Sequence, residues 1–435
     1  MSDPACELSF RLEIAGLPDP FVVVAFTGSE AISEPYVFEA QVLTDDPALD
    51  LAGLLHRSVW LSFGASGRGI HGQLHELVQD RHGIGCRVRI GPKLACLALR
   101  FSQRVFNARS VPQIIRQVLK EHGINGRDVC LDLSSDYPVQ DFCTQYRESD
   151  LQFLQRVCAQ AGIHFHFEQG RDGHSVVFAD TVGSASPAGK AVYSSEIQAS
   201  AVHAFRVDID ASRRHVALGS SDLTHLYGGQ ILSLTAHPYK EWNQRWLLTE
   251  VEHQGTGGAY TNQFRAVPWG VPFVAGRIPE KPVMVSRQRG WVVDVEALAG
   301  QVAGRVAVQF DWVYQGEGAS PSHCWLPLAP ELAGCAVEDI REGTEVLVSF
   351  IEGDPDRPLV SAFLGPFART TTSRDARSSV MSKDTPMPNG VDSPLLAMIQ
   401  EGEPLVLLCL LPGGGRFSPC ARSICTCRMV TGAAR

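Results

Sequence analysis

The sequence predicts a mainly β fold with helical inserts. Three observations carry this. Short stretches of apolar/polar alternation recur along the chain, bounded by Gly, Pro and Asp. A helical period stands out only twice, in stretches opening at Ser110 and Ser149. The 40 glycines and 26 prolines supply the turns that a β-rich chain needs. With 435 residues the chain is too long for one ordinary core, so two to four domains are expected.

The first part reads as strands. "LSFRLEIAG" alternates Leu8, Phe10, Leu12 and Ile14 against polar residues. "FVVVAFTG", "YVFEAQVL", "VWLSFGASGRGIHGQLHEL" and "CRVRIGP" follow in the same grammar. Then "SVPQIIRQVLKEHG" opens a helix. Ser110 caps it, Pro112 sits in the first turn, and Gln113 completes a capping box. Ile114, Ile115, Val118 and Leu119 form its apolar stripe, and Gly123 ends it. "SDLQFLQRVCAQAG" repeats the pattern with Ser149, Gln152 and Gly162, and with a stripe of Leu151, Leu154, Val157, Cys158 and Ala161.

The period changes to two at Ile163. In "AGIHFHFEQG" the residues Ile163, Phe165 and Phe167 face one way, and His164, His166 and Glu168 the other. His164, His166 and Glu168, with His174 beyond them, are the candidate metal ligands by spacing. Alternation gives the plainer reading: they are the polar face of a half-buried strand, and "HSVVFAD" is its hairpin partner. No general base or outer shell is recognisable beside them, so no metal and no cofactor is expected.

Short strands resume in "VHAFRVDID", "QILSLTAHPY", "RWLLTEVEHQ" and "YTNQFRAVPW", and "IPEKP" marks a boundary near Lys281. The next module has the length and strand number of an OB-type barrel. In it Val346, Val348 and Phe350 share one face while Leu347 and Ile351 lie on the other, as in a central or partner-facing strand. "GDPDRP" is turn chemistry. After Pro366 a Ser/Thr/Arg-rich linker leads to one apolar strand, Pro404 to Leu411, and a cysteine cluster of Cys420, Cys425 and Cys427.

Composition excludes several classes. Hydrophobic residues make up 44% and charged residues 20%, which is globular and not disordered. A net charge of -9 with no basic stripe argues against nucleic-acid binding, including by an OB-type fold. No apolar run is long enough to span a membrane, and the N-terminus lacks a signal-peptide pattern. Cys86, Cys96, Cys130, Cys143 and Cys158 read as buried thiols. No G-x-S-x-G, Walker loop or H-E-x-x-H helix is present, so no catalytic residue is assigned.

The stretch "YRESDLQFLQRVCAQAGIHFHFE" resembles the VgrG proteins, spikes of the type VI secretion system, which share an "ESD" helix, a Gly stop and an aromatic strand ending in Glu. "RSVWLSF" with "IHGQLHEL", then "VRIGPKLACLALRFSQRVFNARSVPQIIRQVL", "HPYKEWNQRWLLTEVEHQG", "RVAVQFDW" and "CWLPLAP" resemble further segments of that family, in order. The most specific is "EGTEVLVSFIEGDPDRPLV", in which Gly343, Glu345, Val346, Gly353, Asp354, Pro355, Asp356 and Pro358 carry the motif. The chain departs from the pattern at Ile340, where Pro is usual, and at Ala362, where Gly is common. The long β-helix needle of most members has no counterpart.

The resemblance implies two hub β-barrel-like domains with helical inserts and then an OB-type domain. Residues 1–92 would form the first hub domain, 93–170 the helical insert and the start of the second, 171–285 the rest of it, 286–365 the OB-type base, and 366–435 a linker and short tail. It implies a homotrimer that caps an Hcp-like inner tube, meets baseplate proteins, and takes a separate PAAR-like tip or an effector. Such a protein is not an enzyme. It is assembled in the bacterial cytoplasm and leaves through the injection machine without a signal peptide. A phage baseplate hub is the near alternative; a metal hydrolase using His164 and His166 is the distant one.

Overall fold

In this computed structural model the described residues run from 10 to 364, apart from 45–51, 65–67, 80–84, 182, 184, 197–199, 212, 272–278, 298–302 and 313–322. The expected linker, the strand Pro404 to Leu411 and the cluster Cys420, Cys425 and Cys427 lie outside them. The chain divides into two compact units. Among the described residues the larger runs to Arg287 and includes His323, Cys324 and Ser349–Leu359; the smaller holds the segment from Gln288 to Trp312, Trp325–Val348 and Val360 to Leu364.

The larger unit begins with a closed barrel. Its strands are β1 (Arg11–Ile14), β2 (Phe21–Ala31), β3 (Glu34–Leu43), β4 (Ser58–Gly64), β5 (Arg68–Gln79) and β6 (Gly85–Gly91). They pair in the order β1-β4-β5-β6-β3-β2, and β1 pairs β2 to close the ring. Closure leaves no sheet edge to cover. Alternation sends Leu12, Phe38, Leu61 and Ile70 inward, each fully buried.

An insert follows: β7 (Phe101–Arg109), α1 (Val111–Glu121), β8 (Val129–Asp132), β9 (Gln140–Ser149), α2 (Asp150–Gln160), β10 (His164–Gly170) and β11 (Gly173–Ala179). Strands β7 and β9 pair, and β10-β11-β8 make a three-stranded sheet. Both helices start as their sequences dictate. The Ser110 N–H donates to Gln113 Oε1 at 2.9 Å, and Ser149 exchanges bonds with Gln152 at 2.9 and 3.2 Å. Both stop at glycines in the left-handed region, Gly123 with φ +69° and Gly162 with φ +72°. The insert shares one core with the barrel, through Ile114, Val118, Leu154, Phe165 and Phe178.

A second β region completes this unit: β12 (Pro187–Val192), β13 (Val202–Ile209), β14 (His215–Ser221), β15 (Ile231–Thr235), β16 (Arg245–Thr256) and β17 (Ala259–Pro268). It has its own core, with Val202, Leu232, Trp246, Leu248 and Phe264. The long strand β16 pairs with β2 from Glu250↔Ala31 to Thr256↔Ala25, so both β regions lie in one continuous sheet.

The five-stranded sheet of β18 (Gln288–Ala297), β19 (Ala303–Phe310), β20 (His323–Pro327), β21 (Glu345–Phe350) and β22 (Pro358–Leu364) has the order β20-β19-β18-β21-β22. Val306, Val308, Val346 and Val348 are fully buried, whereas Leu347 is half-buried and Ile351 is exposed at the turn beyond the strand.

Of the five thiols read as buried, Cys86, Cys143 and Cys158 are so, Cys96 is half-buried, and Cys130 is exposed. The last differs because β8 is the edge of its sheet and turns Cys130 outward. Among the described residues no helix is long and apolar enough to cross a membrane.

Candidate functional site

The segment Glu148-Ser149-Asp150 turns from β9 into α2, and each residue has a separate task. Ser149 caps the helix. Glu148 takes the buried Arg156 guanidinium in a fork, Nε at 3.1 Å and Nη2 at 2.6 Å, and the same Nη2 donates to the Thr144 carbonyl at 2.9 Å. Eight residues separate the pair, which brings Arg156, two turns into α2, back over the end of β9. Burial pushes the Glu148 carboxyl up, and its bonds to Arg156 oppose the shift.

Asp150 is fully buried and saturated. Its Oδ2 accepts from Arg100 Nε at 2.5 Å and His122 Nε2 at 2.7 Å, and its Oδ1 from Gln145 Nε2 at 2.8 Å and Arg104 Nη2 at 3.3 Å. Burial alone would raise its pKa. The bonds from His122 and Gln145 and the charges of Arg104 and Arg100 outweigh it and hold the carboxyl well below the usual range. Arg100 and Arg104 also share Glu121 at the end of α1. With about four acceptor sites all taken, this carboxylate is a bracket and not a base.

Thr144, on β9, connects this network to the turn after β21. Its N–H donates to Asp356 Oδ1 at 2.6 Å, and its hydroxyl donates to the Pro355 carbonyl at 2.8 Å. Lys281 Nζ bridges Asp354 Oδ1 at 2.5 Å and Asp356 Oδ2 at 2.7 Å. These opposed charges raise the Lys281 pKa and lower that of Asp354, each against the effect of burial. The turn holds itself with the Asp356 N–H on Asp354 Oδ1 at 2.9 Å and the Ile351 N–H on the Arg357 carbonyl at 3.0 Å. Gly353 has φ +73°, and a Cβ there would lie 2.6 Å from Val283 Cγ1. Pro355 and Pro358 are buried, and Pro358 opens β22.

The rest of the motif shapes the five-stranded sheet. Gly343 has φ +79°, and its N–H donates to the Val292 carbonyl at 2.8 Å. Glu345 pairs with Arg289 at 2.5 Å across β18 and β21, and Val346 is fully buried.

The histidine strand is different from its expected form. Phe165 and Phe167 face the core, as alternation predicts, with Phe167 edge-on to Tyr36 at 4.9 Å. His166 is not on a solvated polar face: it is 4% exposed. The segment after Tyr227 covers it so closely that a Cβ on Gly229 would lie 2.6 Å from His166 Cβ. Burial, then the neighbouring His164, pushes the His166 pKa down to about 4. Glu168 is exposed near the hairpin end, so His164, His166 and Glu168 do not converge as a ligand set. His174 pairs instead with His71, Nδ1 to Nδ1 at 3.0 Å. The residues whose ligand atoms do converge, His56, His75 and Cys96, were not singled out by spacing, being scattered over three segments. Arg156, Thr144 and Lys281 carry no signal in the sequence pattern: Arg156 falls outside the stripe of Leu151, Leu154, Val157, Cys158 and Ala161, on the side of α2 where a surface arginine would also stand.

A family model described as the phage tail baseplate hub (GPD) matches residues 29–206. The type VI secretion system spike protein VgrG4b of Pseudomonas aeruginosa is 32% identical over 456 residues, covering 83% of this chain and 56% of that protein. VgrG5 of the same organism is 34% identical over 459 residues, covering 84% of this chain and 58% of its own. The chain therefore spans a little over half the length of these curated relatives. Among solved structures, the E. coli c3393 protein superposes with a TM-score of 0.69 at 23% identity, over 80% of this chain and 99% of that one. That protein is described as a type VI secretion component with structural similarity to the T4 bacteriophage tail proteins gp27 and gp5. At that identity the match speaks for the fold.

Proposed function

The chain belongs to the VgrG family, and from that premise we propose that it is the trimeric hub of a contractile injection machine, capping the inner tube and leaving the cell with it. The observation that carries this reading is the network just described. The "ESD" and "GDPD" motifs, more than two hundred residues apart in the sequence, meet through Thr144 in one saturated cluster. A carboxylate with every acceptor taken suits a load-bearing frame and leaves nothing for catalysis, so the role is mechanical and not enzymatic.

On this reading residues 286–365 are the OB-type base, and a separate tip protein or effector completes the spike. Inner-tube and baseplate proteins are the partners. The test is deletion of the gene in its own host. Inner-tube protein should disappear from the medium of growing, unlysed cells and return when the gene is supplied on a plasmid. Undiminished release would contradict the proposal. The phage hub reading, with which the match to the phage tail baseplate hub family is compatible, predicts instead that the chain reaches the medium only inside particles released by lysis.

A further inference from the structure

We propose that His56, His75 and Cys96 form a binding site for a zinc-class divalent cation in the first barrel. One ligand atom from each lies within 4.8 Å of the other two. The sequence gives no such cluster; three local features of the fold create it.

The first is a β-bulge. Along the β5–β6 ladder Leu74 pairs Ile90 and Glu76 pairs Arg89, so His75 is an extra residue with no partner. A bulge re-aims a side chain. Here it lays the imidazole over Gly91, where a Cβ would sit 3.0 Å from His75 Cδ2. The second is the orientation of that ring. His75 Nε2 lies 3.2 Å from the Pro92 carbonyl, which can only accept, so Nε2 carries the proton and Nδ1 keeps its lone pair. This is the outer-shell bond typical of a ligating histidine. The third is the placement of His56. Its N–H donates to the Leu74 carbonyl at 2.7 Å, fixing it beside His75 with φ +63°.

Cys96 Sγ is 3.9 Å from His75 Nδ1. In a tetrahedral site with zinc at about 2.0–2.1 Å from nitrogen and about 2.3 Å from sulfur, those two atoms lie about 3.6 Å apart. Small side-chain rotations close the difference, and His56 is exposed and able to turn. Two imidazoles and one thiolate leave a fourth position for water. His75 ligates as a neutral ring through Nδ1 and Cys96 as a thiolate. Ligation therefore breaks the Cys96 S–H bond, forms the metal–sulfur bond and releases that proton to solvent. The bound ion would tie together the turn before β4, the bulge in β5 and the segment after β6.

The test uses the full chain, without an affinity tag and kept reduced, with Cys420, Cys425 and Cys427 changed to Ser. Titration with Co2+ alone should give tetrahedral visible bands and a thiolate-to-cobalt charge-transfer band, saturating at one ion per chain and displaced by Zn2+. Cys96→Ser should remove the charge-transfer band. His75→Gln and His56→Asn should weaken binding at least about tenfold, the scale seen even when a ligand loses its outer-shell partner. His56→Asn is the decisive variant, because the position is exposed and Asn tolerates positive φ. His166→Ala should leave binding unchanged. No charge-transfer band in the starting chain, a band that survives Cys96→Ser, full affinity in His56→Asn, or loss of binding in His166→Ala would each overturn the proposal.

Discussion

The turn from β9 into α2 and the strand β10, on either side of that helix, both carry polar side chains into the interior, by opposite means. At Glu148, Asp150 and Arg156 the buried groups are charged, and donors and acceptors are matched atom for atom. At His166 the buried group is neutral, its Nε2 has no partner among the described residues, and burial suppresses its protonation. A full set of partners makes a frame. A tightly covered imidazole is filling, even where its spacing imitates a metal site.

The largest expected effect is in the frame. Arg156→Ala leaves Glu148 buried without its cation and should cost about 3–5 kcal/mol in denaturant unfolding. Arg156→Met combined with Glu148→Leu should recover most of that loss, since the pair then leaves together. A single-variant loss below about 1 kcal/mol, the value of an exposed pair, would remove the distinction between the regions. On the other side, Phe165→Ala empties a fully buried aromatic site and should also cost about 3–5 kcal/mol. A near-neutral result would show that β10 does not face the core. Asp356→Ala removes the acceptor of the Thr144 N–H and one partner of Lys281, and should cost about 1.5–3 kcal/mol. Gly353→Ala should be similarly harmful through strain and the contact with Val283, whereas substitutions at the exposed Arg357 should be silent.

The dependence of stability on pH also separates the regions, each pH unit contributing a step smaller than the substitutions above. His166 titrates near 4 in the folded chain and near 6.5 unfolded, so the unfolded chain binds more protons between those values. Stability from this group is complete above about pH 6.5 and falls by about 1.4 kcal/mol per pH unit toward pH 4. His174, also pushed down to about 4 by burial and by His71, adds to the same slope. Asp150 behaves as a depressed carboxyl: its contribution is intact above about pH 4 and is lost only below. His166→Gln should flatten the upper slope and leave the lower one. An unchanged upper slope would show that His166 is not buried neutral.

Sequence pattern carried the local structure because local rules govern it. Ser110 with Gln113 and Ser149 with Gln152 announced both helices, and Gly123 and Gly162 their ends. Alternation placed Phe165, Phe167, Val346 and Val348 on buried faces. What pattern does not show lies mostly in contacts between elements. Alternation assigns a residue to a face and not to what covers that face, so it puts His166 on the polar face of a half-buried strand, although the segment at Gly229 lies on it. Arg156 carries no local signal, because its partner, Glu148, is reached only when the turn folds back. The pairing of β2 with β16 spans more than two hundred residues, and no local signal encodes it. The bulge at His75 depends on β6, so the approach of His56 and Cys96 was equally invisible.

The frame matters because of the assembly it is proposed to hold. Light scattering of the purified full chain, at tens of micromolar and without a tag, measures that assembly directly. The account predicts a particle of three times the chain mass that persists on dilution. A clean monomer at that concentration would contradict it.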